Sequence, residues 1–153
     1  MPITGGAIQL ANNAALGTGT LVATGGRLSS DSGTARAIAN DLSVSGALTL
    51  GNSVNKGALT LNGGMVLGAN ASLAADSAVT IAGVVSGTYG WTKLGASELV
   101  LSGTNTYTGL TTVSAGTLTL AGGSALMNSG GVRVNLGGIL KLAASEEIAS
   151  LQG

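Results

Sequence analysis

One five-residue pattern recurs along this chain and limits its fold more than any other feature: an aliphatic residue, any residue, a second apolar residue, any residue, then Gly. It occurs as Leu21-Val22-Ala23-Thr24-Gly25, Leu42-Ser43-Val44-Ser45-Gly46 and Leu59-Thr60-Leu61-Asn62-Gly63. It returns as Val79-Thr80-Ile81-Ala82-Gly83, Leu99-Val100-Leu101-Ser102-Gly103 and Leu118-Thr119-Leu120-Ala121-Gly122. The first residues lie 21, 17, 20, 20 and 19 positions apart. Leu140-Lys141-Leu142 is a seventh, degenerate copy without the Gly. A single pentad means little in a chain rich in Leu and Gly, but six at near-constant spacing define an internal repeat.

Alternation with period two places both aliphatic residues on one face of a strand and the Ser, Thr or Asn on the other. The Gly is expected to supply a positive φ or a tight bend where the chain leaves the strand. Between the pentads lie Ala47-Leu48-Thr49-Leu50, Met65-Val66-Leu67 and Thr111-Thr112-Val113, bounded by Gly or Asn as second and third faces of a coil would be. Helical periodicity is absent except at Ala143 to Leu151, where Ser145-Glu146-Glu147 could begin one turn. A unit of about 20 residues buries too little apolar surface to order itself, so such units stack in arrays. The expected fold is all-β: a right-handed parallel β-helix (β-solenoid) of about seven rungs, forming one segment over residues 1–153. At a strand spacing of about 4.8 Å its length is about 34 Å. The competing architecture, an antiparallel β-sandwich, gives turn signals every 8–12 residues without a strict 20-residue recurrence.

Composition removes several classes. With 27 Gly but one Pro, 44% apolar and 8% charged residues, the chain is neither collagen-like nor disordered. Its six basic residues (Arg27, Arg36, Lys56, Lys93, Arg133, Lys141) are scattered singly, so no patch for nucleic acid or an anionic membrane is expected. No apolar run approaches the roughly twenty residues of a membrane-spanning helix. Lack of Cys excludes disulfides and thiolate metal sites. The opening Met1-Pro2-Ile3-Thr4-Gly5-Gly6 lacks the basic and apolar regions of a signal peptide.

Site chemistry is sparse. Without His or Cys, the usual nucleophilic triads cannot form. Six carboxylates remain, Asp31, Asp41, Asp76, Glu98, Glu146 and Glu147. A polysaccharide-acting enzyme would need two of them on neighbouring rungs. Asp31, Arg36 and Asp41 come nearest to such a cluster, and solvated turn residues are the simpler reading. Glu146-Glu147 suits a helical cap or a solubilising end better than calcium, and no cofactor or metal is expected. Tyr89, Trp91 and Tyr107, the only aromatics, are candidates for carbohydrate contact, with packing the simpler role for Trp91 and Tyr107. Asn40, Asn52, Asn62 and Asn105 fall near turns and are expected to bond backbone there.

The stretch Gly90-Trp91-Thr92-Lys93-Leu94-Gly95, Leu99 to Gly103, Asn105-Thr106-Tyr107-Thr108-Gly109 and Thr111-Thr112-Val113-Ser114-Ala115-Gly116-Thr117-Leu118 closely resembles the autotransporter-associated β-strand repeat, at about residues 90–120. Within it Asn105, Tyr107 and Gly109 form the motif's turn. Trp91 stands where the family usually has an aliphatic residue, and Leu110 where a small one is common. The resemblance implies a right-handed β-helix of an exported passenger, hence an extracellular or bacterial cell-surface location. Its implied partners are the rest of a larger passenger and a membrane barrel, which two Tyr and one Trp could not themselves supply with aromatic girdles. The functional expectation is a non-catalytic structural stalk that supports export and display. The alternative is adhesion to a host or cell-surface ligand, or self-association through the solenoid ends or surface. A polysaccharide-acting enzyme ranks third.

Overall fold

A computed structural model describes residues 1–126 and 130–153. The described chain is all-β, a parallel β-solenoid of about seven turns. Successive turns contribute short strands to three sheets, though not every turn has a strand in all three. Sheet A holds β1 (Pro2–Ile3), β3 (Leu21–Ala23), β6 (Leu42–Val44), β9 (Met65–Leu67) and β12 (Val85–Ser86). Sheet B stacks β2 (Ala7–Leu10), β4 (Arg27–Ser30), β7 (Ala47–Leu50), β10 (Ala71–Ala75), β13 (Trp91–Leu94), β15 (Thr111–Val113), β17 (Val132–Val134) and β19 (Leu151–Gln152). Sheet C is formed by β5 (Arg36–Ile38), β8 (Leu59–Leu61), β11 (Val79–Ile81), β14 (Leu99–Leu101), β16 (Gly116–Leu120) and β18 (Gly138–Leu142).

The period-two pattern has its expected consequence: Leu59, Leu61, Leu99 and Leu101 are fully buried, and the Thr or Val between each pair faces outward. In register, Leu59, Val79, Leu99 and Leu118 form one inward column, extended by Leu140. The six pentads, however, occupy two sheets. Leu21 and Leu42 pair with each other and then with Met65 in sheet A, not with Leu59. The odd 17-residue spacing between Leu42 and Leu59 marks the switch of column. Any inward pair followed by a corner satisfies the pentad, so the pattern reports strands without reporting which sheet they join.

The pentad glycines lie at bends, as one of the two expected uses has it, but without the positive φ of the other. None of Gly25, Gly46, Gly63, Gly83, Gly103 and Gly122 has positive φ. They are confined by the coil below. A Cβ on Gly103 would lie 2.5 Å from the carbonyl oxygen of Gly83, and one on Gly122 2.7 Å from that of Ser102. On Gly46, Gly63 and Gly83 it would overlap the carbonyls of Thr24, Asn40 and Gly63. The corner glycine lets one coil's backbone settle onto the next.

The helical turn expected over 143–151 does not form. The chain stays extended, and β19 pairs with β17. The Glu146 carboxylate accepts from the backbone N–H of Ala125 at 2.9 Å, and Ala143 N–H donates to Leu120 O at 2.9 Å. The neighbouring coil supplies the partners a helix would have found within itself. This last coil leaves Ile139, Leu142 and Leu151 more than half exposed, whereas Leu120 and Val132, the register partners of Leu142 and Leu151, are fully buried.

Candidate functional site

The motif-bearing segment runs from β13 through β16, and its distinctive side chains are spent on holding coils together. Between β14 and β15 the chain passes the sheet A position without forming a strand there. Asn105 fills the gap. Its Oδ1 accepts from Val85 N–H at 2.8 Å, and its Nδ2 donates to Ala125 O at 2.9 Å, linking backbones 20 residues away on either side. The side chain is buried, so both bonds are shielded from water. Thr106 and Tyr107 N–H both donate to Val85 O, continuing the ladder. Gly109 is required by contact, since a Cβ there would overlap the backbone of Tyr89 and Gly90.

Tyr107 turns its ring into the core and bonds the buried Thr111 hydroxyl at 2.7 Å. Burial pushes its phenol up to about 12. Trp91 also points inward, in register with Ala71 and Thr111. With exposures of 3% and 1%, Trp91 and Tyr107 cannot present ring faces to a sugar; of the three aromatics only Tyr89 is exposed. A carbohydrate-stacking trio is therefore not assembled. The same alternation that turns Trp91 inward carries Lys93 into the core column between Leu73 and Val113.

Lys93 is the residue that sequence reasoning missed. Its side chain is fully buried, and Nζ donates to the carbonyls of Leu94 (2.7 Å), Gly95 (2.8 Å) and Ala115 (3.0 Å). Those three acceptors match the three ammonium protons. Burial pushes the ammonium down to about 8, with the charge of Asp76 opposing. The available signal was Trp91-Thr92-Lys93-Leu94 itself: read with period two, an inward Trp91 makes Lys93 inward.

The carboxylates do not converge. Asp31 pairs with Arg36 at 3.1 Å, a bond that holds its carboxyl below the ordinary value. Asp41 instead accepts from Gly64 N–H at 2.8 Å, so the suspected Asp31, Arg36 and Asp41 cluster is not formed. Asp76 binds Arg27 at 3.0 Å, and Glu98 lies 3.7 Å from Lys141 while accepting from Thr119. Among the described residues, no three His, Cys, Asp or Glu side chains gather as a metal site. Three surface grooves of about 390, 510 and 410 Å³ carry one carboxylate, none and one, respectively. No described helix is long and apolar enough to cross a membrane.

Asn40 bonds Gly17 O and Gly19 O, and Asn52 Oδ1 accepts from Val54 N–H, both fixing loops.

Residues 92–120 match the family model described as passenger-associated-transport-repeat. No curated protein and no solved structure matches the chain. The matched stretch runs from the second residue of β13 to the end of β16 and encloses Lys93, Asn105 and Tyr107. Residues 92–120 are thus similar to a passenger-associated-transport-repeat, here built into a parallel β-solenoid.

Proposed function

We propose that the chain is a non-catalytic structural segment: a rigid extracellular stalk of an autotransporter-type surface protein, supporting export and display. The observation that carries this reading is the use to which its polar side chains are put. Asn105, Lys93 and Glu146 all bond the backbone of their own or neighbouring coils, leaving a continuous ladder and little convergent chemistry. Nearest-neighbour stacking lets such a rod form progressively as a chain emerges. The test is surface display of an epitope-tagged passenger carrying this segment. A Gly83→Val variant, which cannot seat on Gly63, should be displayed at a small fraction of the wild-type level, whereas Gly5→Ala, whose Cβ meets nothing within 4 Å, should not change it. Display of Gly83→Val equal to wild type would sink the proposal. A second reading, self-association through a solenoid end, draws support from exposed Ile139, Leu142 and Leu151. Sedimentation over a wide concentration range decides it, a concentration-independent monomer counting against.

A further inference from the structure

The first and last described coils are built differently. Sheets A and B start with β1 and β2, but sheet C starts one coil later, at β5. Where the first coil would place its sheet C strand, residues 11–20 run as a series of turns. Asn12 Oδ1 accepts from Ala14 N–H at 2.9 Å, and Ala15 and Gly17 N–H donate to Asn12 O and Ala14 O. Leu16 packs against the core. From the β6 side of the corner, Asn40 Nδ2 donates to Gly17 O at 3.2 Å and to Gly19 O at 2.7 Å.

The decisive contact is at β5. Arg36 N–H donates to Ala58 O of the next coil, so by strand alternation the N–H of Ala37 faces away from β8, toward the missing strand. Asn13 Oδ1 accepts that N–H at 3.1 Å. A side-chain carbonyl replaces the backbone carbonyl that a pairing strand would bring. Arg36 Nε bonds Leu10 O at 3.1 Å and holds the start of the same segment. In the last described coil β18, five residues long, has β16 on one side only and exposes Ile139 and Leu142.

We infer that residues 11–20 are a strap that closes the sheet C edge at β5 and prevents the β18 edge of a second copy from pairing there. An open strand edge recruits other strands, and a side chain that occupies its donors removes the template. The strap bars head-to-tail growth at sheet C while leaving the hydrophobic interior of the coil covered by Leu16.

Hydrogen exchange and sedimentation test this on the full chain. In wild type the Ala37 amide should be protected, and Asn13→Ala should speed its exchange roughly tenfold, the loss of one hydrogen bond, with the amides of β11 and β14 unchanged. The double variant Asn13→Ala with Leu16→Ala should keep its β-sheet circular dichroism and form concentration-dependent oligomers beyond any seen in wild type. Adding Ile139→Lys, which charges the β18 edge, should remove that extra association. Equal Ala37 exchange in wild type and Asn13→Ala would overturn the strap. So would a double variant that sediments as wild type does at every concentration. Association that survives Ile139→Lys would overturn β18 as the excluded partner.

Discussion

Replacing Asn105 by Ala removes one side chain and orphans two backbone groups in different coils. Val85 N–H and Ala125 C=O each lose a bond inside a site from which water is excluded. A buried group left unpaired costs about 1–3 kcal/mol, so the pair costs about 2–6 kcal/mol. The side chain's own desolvation no longer has to be met, which brings the expected loss to about 3 kcal/mol. Urea unfolding followed by circular dichroism measures it, with Asn62→Ala as the control, because Asn62 is exposed and its substitution should stay within about 0.5 kcal/mol. Asn105→Asp separates the two bonds. A carboxylate still accepts from Val85 N–H but faces Ala125 O with no proton to donate. At neutral pH it should be as damaging as Ala, and it should recover on acidification as the raised-pKa carboxyl gains a proton in the folded state. If Asn105→Ala is no more destabilising than Asn62→Ala, the bridge between coils is not what holds this turn.

Two further outcomes follow from the core. Gly83→Ala must displace the backbone of Gly63, not a pliable side chain, and should cost about 1–3 kcal/mol or more in the same assay; Gly5→Ala, with open space around it, should be neutral. Stability should also vary with alkaline pH. Lys93 titrates near 8 when folded and near 10.5 when unfolded, so between these values the unfolded chain binds more protons and stability rises with pH. Tyr107, moved from 10 to about 12, has the opposite effect above pH 10, where the unfolded phenol has lost its proton first. The profile should climb by up to about 2–3 kcal/mol from pH 8, turn near pH 10, and lose the climb in Lys93→Met and the fall in Tyr107→Phe. A flat wild-type profile would contradict the burial of both groups.

Strands were legible because period-two alternation is a local property: Leu59 and Leu61 flank Thr60 whether or not a neighbour is known. Column membership was not legible, since Leu42-Ser43-Val44 and Leu59-Thr60-Leu61 have the same pattern and differ only in which coil lies beneath. The pentad Gly marks the bend, but its contact with the neighbouring coil is not legible from the pattern. A steric limit set by a carbonyl about 20 residues earlier leaves no local mark that distinguishes it from a left-handed turn. Asn105 reads locally as a turn residue, but its partners 20 residues away on both sides lie beyond any local motif. Lys93 was hidden by its chemistry: a lysine flanked by Thr92 and Leu94 counts as solvent-facing unless the phase of Trp91 is trusted over the charge. The aromatic trio failed through the same phase, which sends Trp91 inward and, with the turn at Asn105, takes Tyr107 with it.

The hydrogen bonds between coils run along the axis of the rod, each joining residues about 20 positions apart. Tension applied at the two ends passes through the stacked interfaces in series, so the coil with the weakest interface peels first. A peeled coil of about 20 residues extends to about 70 Å, while in place it occupies about 4.8 Å of length. The rod is thus stiff at low load and, past its yield, releases slack in steps of about fourteen times each coil's resting height, a fuse that absorbs mechanical work without severing the chain.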